Sequence, residues 1–170
     1  DAGTHFVSEA SPAATSSFVM ALDTVNFGSG WFAAAQKAGV ALEYTVISGC
    51  LKRAFATGRL NTPAKWVEAS PADCHDIFGM PRGVNPEMDG LMALFAEHLQ
   101  TTGKILVRDY GGEVQNLLQA SGYSAPVLAG IVAAWPNFAD VSQYKGVDVP
   151  IYKRAQILAA DMHLALGGFS

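Results

Sequence analysis

At 170 residues the chain has the length of one ordinary domain, which can bury a hydrophobic core without disulfides or metal ions. Half of its residues are hydrophobic and only 15% are charged, a composition that argues against intrinsic disorder. The formal net charge of −4 argues against a general nucleic-acid coat, although a few basic side chains could still hold a small anion.

Apolar residues recur at helical spacing along most of the chain, which predicts helices rather than strands. Residues 41–57 form one such segment. A longer helix is expected to begin at Asn85-Pro86 and to end at Gly111-Gly112. Its buried stripe is expected to consist of Leu91, Phe95, Leu99, Thr102 and Leu106.

Serine and proline mark the starts of two further helices. Ser70-Pro71 places a serine at the N-cap and a proline in the first turn, and the segment from Ser124 to Pro136 repeats this design. A last helix is expected from just after Pro150 to about Leu166. Its buried seam is expected to consist of Ile151, Ala155, Leu158, Met162 and Leu166.

Strand patterns are scarce, and residues 144–149 predict at most one short β-hairpin or extended turn. No internal repeat and no linker divides the chain, so residues 1–170 are expected to form a single all-α domain. The longest apolar run, residues 127–135, is too short to span a bilayer, so no membrane contact is expected.

The sequence patterns of familiar enzymes and metal sites are missing: there is no Walker loop, no nucleophile elbow and no His-Glu-x-x-His. Asp73, Cys74, His75 and Asp76 are consecutive, so their side chains point in different directions and predict no metal site. Cys50 and Cys74 are expected to be thiols rather than a disulfide. Because no secretory signal opens the sequence, we expect a cytoplasmic protein.

An acidic residue, Asp23, interrupts an apolar helical segment near the start of the chain. Its helical neighbours at three and four positions are Val19, Met20, Asn26 and Phe27. The carboxyl group of Asp23 is therefore expected to be partly buried, which is costly unless the group is paired. Either it caps a neighbouring helix or holds a buried amide, or it contacts a ligand together with Asn26.

A second acidic residue, Asp161, has four apolar helical neighbours, which is unusual on a solvated helix face. Lys153 lies two turns earlier, about 12 Å along the axis and offset by about 80°, a separation that suits two ends of one small ligand. Lys153 and Arg154 in the first turn oppose the helix macrodipole, so they call for a negatively charged partner. That partner is either an anionic ligand or an acidic side chain from another helix.

Four stretches of the sequence carry a recognisable pattern in a fixed order. They are ALDTVNFGSGWF at 21–32, TGKIL with YGG within 102–112, PNFAD at 136–140 with Tyr144 and Gly146 beyond it, and YKRAQIL at 152–158 with Asp161 beyond it. Together they closely resemble the motifs of the queuosine salvage family, the queuosine 5'-phosphate N-glycosylases/hydrolases. Each stretch alone is a weak match, and four in the same order make a specific one.

The resemblance implies a helical fold related to the helix-hairpin-helix DNA glycosylases. It also implies hydrolysis of the N-glycosidic bond of queuosine 5'-phosphate, which releases queuine for tRNA modification. No metal and no organic cofactor is implied, and the partner is a small nucleotide rather than a nucleic acid. Breaking the C1'–N bond develops positive charge on the ribose, which a nearby carboxylate stabilises. Because the 7-deazapurine lacks the ring nitrogen at which guanine is readily protonated, charge stabilisation on the sugar must carry more of the barrier.

This chemistry gives each candidate residue an expected role. Asp161 is the first candidate for the carboxylate beside the sugar, and Asp23 is the second. Lys153, with the helix N-terminus, is expected to bind the 5'-phosphate, and Arg154 is a further candidate for the same group. The other candidate substrate contacts are Tyr152, Asn26, Phe27 and Trp31. Of these, an aromatic ring could stack on the base, although each aromatic residue could equally belong to the core.

Members of the family continue past the point at which this sequence stops, so we expect an incomplete copy that is truncated at both ends. A truncated helical domain exposes apolar surface, which predicts self-association. Two alternatives to an active N-glycosylase stay open: a non-catalytic protein that binds nucleotide or queuine, and a structural half-domain that needs a missing segment.

Overall fold

The computed structural model describes residue 3, residues 5–8 and residues 11–168. Within these ranges the fold consists of nine α-helices and one two-stranded antiparallel sheet, so the predicted all-α fold with one short hairpin is confirmed. The helices are α1 (Pro12–Val25), α2 (Phe32–Lys37), α3 (Tyr44–Ala56), α4 (Pro63–Val67), α5 (Pro71–Phe78), α6 (Pro86–Tyr110), α7 (Val114–Ala120), α8 (Ala125–Ala133) and α9 (Lys153–Ala165). A short 3-10 helix, Gly28–Trp31, connects α1 to α2, and the strands β1 (Asp140–Tyr144) and β2 (Val147–Ile151) precede α9.

The central element is α6, against which α1, α4 and α5 pack. Its predicted start is confirmed, because the Asn85 side chain accepts a hydrogen bond from the backbone N–H of Glu87 at 2.8 Å. Its predicted end is confirmed by Gly111, which adopts the left-handed conformation with φ of 62°. All five residues of the predicted stripe are fully buried, so this face of α6 forms the middle of the core.

The contact between α4 and α6 depends on a glycine. A Cβ atom at Gly103 would lie 2.7 Å from the backbone oxygen of Pro63 and 2.9 Å from the backbone nitrogen of Val67. Trp66 is fully buried beside this contact, and its indole N–H donates to the backbone oxygen of Leu60 at 2.6 Å. The two helices therefore approach too closely to accept a side chain at position 103.

The two serine-proline starts are confirmed as helix starts. Ser70 caps α5: its hydroxyl accepts from the backbone N–H of Asp73 at 3.1 Å, and the Asp73 carboxylate accepts from the backbone N–H of Ser70 at 2.9 Å. Ser124 stands at the N-cap of α8, but its side chain makes no capping bond there. α8 ends at Ala133, three residues before the proline expected to end it, because the chain turns where the backbone N–H of Trp135 donates to Val132.

The predicted start of the last helix is wrong, because the helix begins at Lys153 rather than just after Pro150. Pro150 and Ile151 belong to β2, where they pair with Val141 and Asp140 of β1. The alternation of apolar residues in β2 has the period of a strand, and it overrides the apparent helical seam. Ile151 is 42% exposed and so lies outside the seam, whose buried members are Ala155, Leu158 and Met162.

The hairpin itself follows from its turn. Lys145 and Gly146 both have positive φ, 50° and 79°, as a two-residue turn between twisted strands requires.

Cys50 and Cys74 are buried free thiols, as expected. Among the residues that the structure describes, no helix combines the length and the apolar content needed to cross a membrane.

Candidate functional site

Both predicted carboxyl groups lie where α1 and α9 pack together, a region called the groove below: Asp161 lines a cavity there, and Asp23 is buried. The two helices pack against each other and run antiparallel. Phe18 of α1 and Ala165 near the end of α9 line one cavity, whereas the backbone oxygen of Thr24 in the last turn of α1 accepts a hydrogen bond from Arg154 in the first turn of α9. The groove therefore has a cavity at one end and the start of α9 at the other.

The cavity has a volume of about 250 Å³, and Asp161 lies in its wall. Its apolar side is formed by Phe18, Val19 and Leu22. Burial raises the pKa of the Asp161 carboxyl, and the nearby His5 opposes this shift by charge attraction. A volume of this size lies just below the range of roughly 300–1,000 Å³ typical of ligand pockets, so it has room for one ring system rather than a whole nucleotide.

Two further polar side chains reach the same cavity. The Nε2 atom of His5 and the Tyr44 hydroxyl are 2.7 Å apart, and their rings meet edge to face. Burial lowers the pKa of His5, against the attraction of Asp161. Burial also raises the pKa of Tyr44, as do the negative charges of Asp161 and Asp23. A ligand in the cavity would thus meet a carboxyl group, an imidazole and a phenol.

Asp23 occupies the most unusual environment in the groove. Its side chain is only 3% exposed, and within the described part of the chain neither carboxyl oxygen has a well-formed hydrogen bond, although the Asn26 side chain is close enough to favour the charged form. Burial, followed by the negative charge of Asp161, raises the pKa of Asp23 to about 8, although Asn26 and Arg154 oppose the shift. The prediction that Asp23 is buried is confirmed, and at neutral pH the group is largely a neutral acid.

At the other end of the groove, Arg154 is 14% exposed and points into the protein. Its Nη1 atom donates to the backbone oxygen of Asn137 at 2.6 Å. Its guanidinium carbon lies 4.9 Å from the ring centroid of Phe27 and 4.8 Å from that of Phe138. Arg154 is therefore largely occupied by contacts within the protein.

The other predicted contacts are distributed unevenly. Lys153 is exposed at the first residue of α9, eight residues before Asp161 in the same helix. Tyr152 is 51% exposed and lines an apolar cleft between α8 and α9, away from the cavity that contains Asp161. Asn26 is half-buried just beyond α1, and Trp31 is half-buried against the hydrophobic core.

Sequence reasoning missed three polar residues near the groove. His5 and Tyr44 meet across 39 positions of sequence, and His98 of α6 lies 3.4 Å from Arg154 through its Nδ1 atom. None of the three belongs to a motif or to a polar interruption of an apolar face. Their placement depends on how α3 and α6 pack, which residue spacing does not encode.

The chain is thus an all-helical protein with one carboxyl group in a cavity wall, a second one buried in the same region and an exposed lysine at a helix N-terminus. The sequence model of the family described as queuosine salvage protein matches residues 5–170. The chain belongs to the queuosine salvage protein family.

Several curated relatives carry the name queuosine 5'-phosphate N-glycosylase/hydrolase. The relative from Sphaerobacter thermophilus is 34% identical over 160 residues, which cover 91% of this chain and 48% of the relative. The mouse relative is 35% identical over 130 residues, which cover 74% of this chain and 37% of the relative. The bovine relative is 44% identical over 71 residues, or 41% and 21% of the two chains. The chain thus spans about half or less of the length of these relatives.

Proposed function

We propose that the chain binds queuosine 5'-phosphate in the groove between α1 and α9 and hydrolyses its N-glycosidic bond. One structural observation carries this proposal: Asp23 is a carboxyl group buried without a well-formed hydrogen bond, and it feels the charge of a second carboxyl group, Asp161, that lines a cavity. Membership of the queuosine salvage family and the names of the relatives supply the substrate class.

The proposed reaction adds water across the bond between C1' and the base nitrogen. The bond breaks with its electron pair on the nitrogen, the oxygen of water bonds to C1', and the base leaves as queuine after it takes up a proton. Positive charge develops on the sugar before the water attacks. A carboxylate close to C1' lowers the barrier most, because the protein environment screens charge less than water does.

Asp161 is our choice for the carboxylate beside the sugar, because it lies in the cavity wall, where a ligand can reach it. Asp23 is the second choice; as a neutral acid at pH 7 it can donate a hydrogen bond to an oxygen of the ligand. Asn26 would contact the ligand at the same end of α1.

Lys153 and the N-terminus of α9 are proposed to bind the 5'-phosphate. Lys153 is exposed, and the helix N-terminus adds backbone N–H groups that favour an anion. It lies about 12 Å from Asp161 along the helix axis, so one nucleotide could reach both groups. Phe27, Trp31 and Tyr152 remain proposed contacts, with Trp31 the better stacking candidate, because Phe27 already contacts Arg154 and His98.

The setting we propose is the cytoplasm, with a free nucleotide rather than a nucleic acid as the partner. Self-association is proposed through the apolar hairpin surface. The register places Tyr144, Val147, Val149 and Ile151 on one face of the hairpin, and all four are exposed. An exposed apolar face of this kind favours contact with another molecule, and light scattering over a range of protein concentrations tests this part of the proposal.

The first experiment is to incubate the purified chain with queuosine 5'-phosphate and to detect free queuine by chromatography and mass spectrometry. We expect the wild type to release queuine and the double variant Lys153→Met/Asp161→Asn to release none. The double variant Lys145→Met/Asp148→Asn is the matched control, since it makes the same charge changes on the exposed hairpin and should keep the activity.

Two other results would redirect the proposal. Absence of release together with a rise in melting temperature on adding the nucleotide would favour the non-catalytic binding protein. Absence of both release and stabilisation would contradict the proposal, because a pocket that binds the substrate must stabilise the native state.

A further inference from the structure

Arg154 makes contacts that no substrate-binding role explains. Its two terminal nitrogens donate to backbone oxygens, Nη1 to Asn137 at 2.6 Å and Nη2 to Thr24 at 3.2 Å. The rings of Phe27 and Phe138 contact the guanidinium, and Asp140 lies 3.7 Å from Nη1. A planar guanidinium can donate to two acceptors and stack on aromatic rings at the same time, which no other side chain does as well.

These contacts join separate parts of the fold at one point. Thr24 lies in the last turn of α1, next to Asp23, and Asn137 lies in the turn that follows α8. Both are also tied to α6, because the Asn137 side-chain amide donates to the Thr102 hydroxyl at 2.9 Å and the Thr24 hydroxyl lies 3.2 Å from the same oxygen. The guanidinium of Arg154 thereby attaches the first turn of α9 to a buried polar network.

The neighbouring Lys153 offers a contrast. It is exposed, whereas the side chain of Arg154 is 14% exposed and both of its terminal nitrogens already have acceptors. A phosphate that replaced these acceptors would leave the backbone oxygens of Thr24 and Asn137 buried without donors, which costs more than a surface contact gains.

We propose that Arg154 is a positioning residue, which holds the turn carrying Asp23 and Asn26 at a fixed distance from Lys153 and does not contact the phosphate. This inference rests on the proposed function for its ligand. The hydrogen bond from Arg154 to Thr24 fixes the position of the neighbouring Asp23. Because Arg154 also anchors the first turn of α9, it fixes the position of Lys153.

Arg154 also acts on Asp23 by charge. Its positive charge lowers the pKa of Asp23 against the larger effects of burial and of Asp161. Among the described residues, Tyr44 of α3 also interacts with Asp23 by charge. His98 of α6 and Asp140 of β1 face Arg154 itself. Removal of the guanidinium charge should therefore shift the titration of Asp23 to higher pH, which a purely structural contact would not do.

The test compares Arg154→Met with Lys153→Met in two measurements. The first is the affinity for queuosine 5'-phosphate divided by the affinity for the nucleoside queuosine, both from calorimetry. Lys153→Met should reduce this ratio about tenfold, as loss of one charge-assisted phosphate contact does. Arg154→Met should weaken both ligands by the same factor and leave the ratio unchanged.

The second measurement needs no ligand and follows the carboxyl carbon of Asp23 by NMR as pH changes. Its midpoint should lie near 8 in the wild type and higher in Arg154→Met. Arg154→Lys keeps the charge but cannot donate to both backbone oxygens, so it should restore the midpoint and still weaken both ligands. If Arg154→Met does not fold, Arg154→Lys takes its place in the affinity measurement.

A fall in the affinity ratio for Arg154→Met or Arg154→Lys comparable to that for Lys153→Met would overturn the inference. So would an Asp23 titration that does not move in Arg154→Met. If the wild type binds neither ligand, the proposed function fails, while the titration of Asp23 still decides whether Arg154 acts on that group.

Discussion

Replacing Asp23 with asparagine should change the pH dependence of folding. In the folded chain the pKa of Asp23 is about 8, compared with 3.8 for an ordinary aspartate. Because the folded value is the higher one, the native state keeps a proton that the unfolded chain releases. The contribution of Asp23 to stability is therefore greatest below pH 3.8 and is lost as pH rises towards 8.

The expected magnitude follows from the width of that window. Each pH unit between the two values costs about 1.4 kcal/mol of unfolding free energy, so the wild type should lose about 4 kcal/mol between pH 5 and pH 8 through this group. The asparagine of the variant does not titrate in this range. Its buried amide shifts stability by an amount that does not depend on pH.

Urea unfolding at pH 5, 6, 7 and 8, followed by tryptophan fluorescence, measures this difference. The stability of Asp23→Asn minus that of the wild type should rise by about 4 kcal/mol across the series. Subtraction removes the titration of groups that do not interact with Asp23. Gly90→Ala, which changes no titratable group, is the control and should give a flat difference. Parallel curves for Asp23→Asn and the wild type would refute the reasoning that burial holds this carboxyl neutral.

Four other predictions each concern a single position. Gly103→Ala should destabilise the fold by about 1–3 kcal/mol, because a Cβ there meets the backbone of Pro63 at 2.7 Å. Gly90→Ala in the same helix has open space around it and should stabilise the fold by about 0.5–1 kcal/mol, so a pair of urea curves distinguishes packing from helix propensity. Lys145→Asn should raise the melting temperature slightly, since asparagine tolerates the positive φ of 50° at that turn position better, and an unchanged or lower value would contradict this. Asp161→Asn should abolish queuine release while ligand binding is largely kept; equal loss of both would indicate a structural aspartate.

The parts of the fold that sequence predicts well are those in which local chemistry agrees with packing. The start of α6 at Asn85 and its end at Gly111 are set by capping, and its stripe is set by helical spacing, so both could be predicted. The start of α9 could not be predicted, because Ile151 fits both the helical seam of α9 and the strand alternation of residues 147–151. Pairing with β1, a contact outside the segment, decides between them.

In the groove, too, some features could be predicted from local sequence and others depend on contacts between distant segments. That Asp23 is buried could be predicted from its apolar neighbours, since burial depends on the helix face. That it lacks a well-formed hydrogen bond, and that His5 and Tyr44 meet beside Asp161, depend on contacts between distant segments. Arg154 shows the limit of local reasoning most clearly. Its position in the first turn of α9 suggested an anion, and its side chain instead donates to the backbone oxygens of other segments.

The environments of Asp23 and Asp161 differ, because Asp23 is almost fully buried whereas Asp161 lines a cavity. A buried carboxyl group without a well-formed hydrogen bond lowers stability, so a group kept only for structure would be expected to have a hydrogen-bond donor. Asp23 carries this cost next to Leu22, which lines the cavity that also contains Asp161. Where two titratable groups have environments that separate their pKa values, one can stay neutral and donate while the other stabilises positive charge. Under the proposed function, we expect queuine release to fall as pH rises through the value at which Asp23 loses its proton, and a pH profile of queuine release measures this.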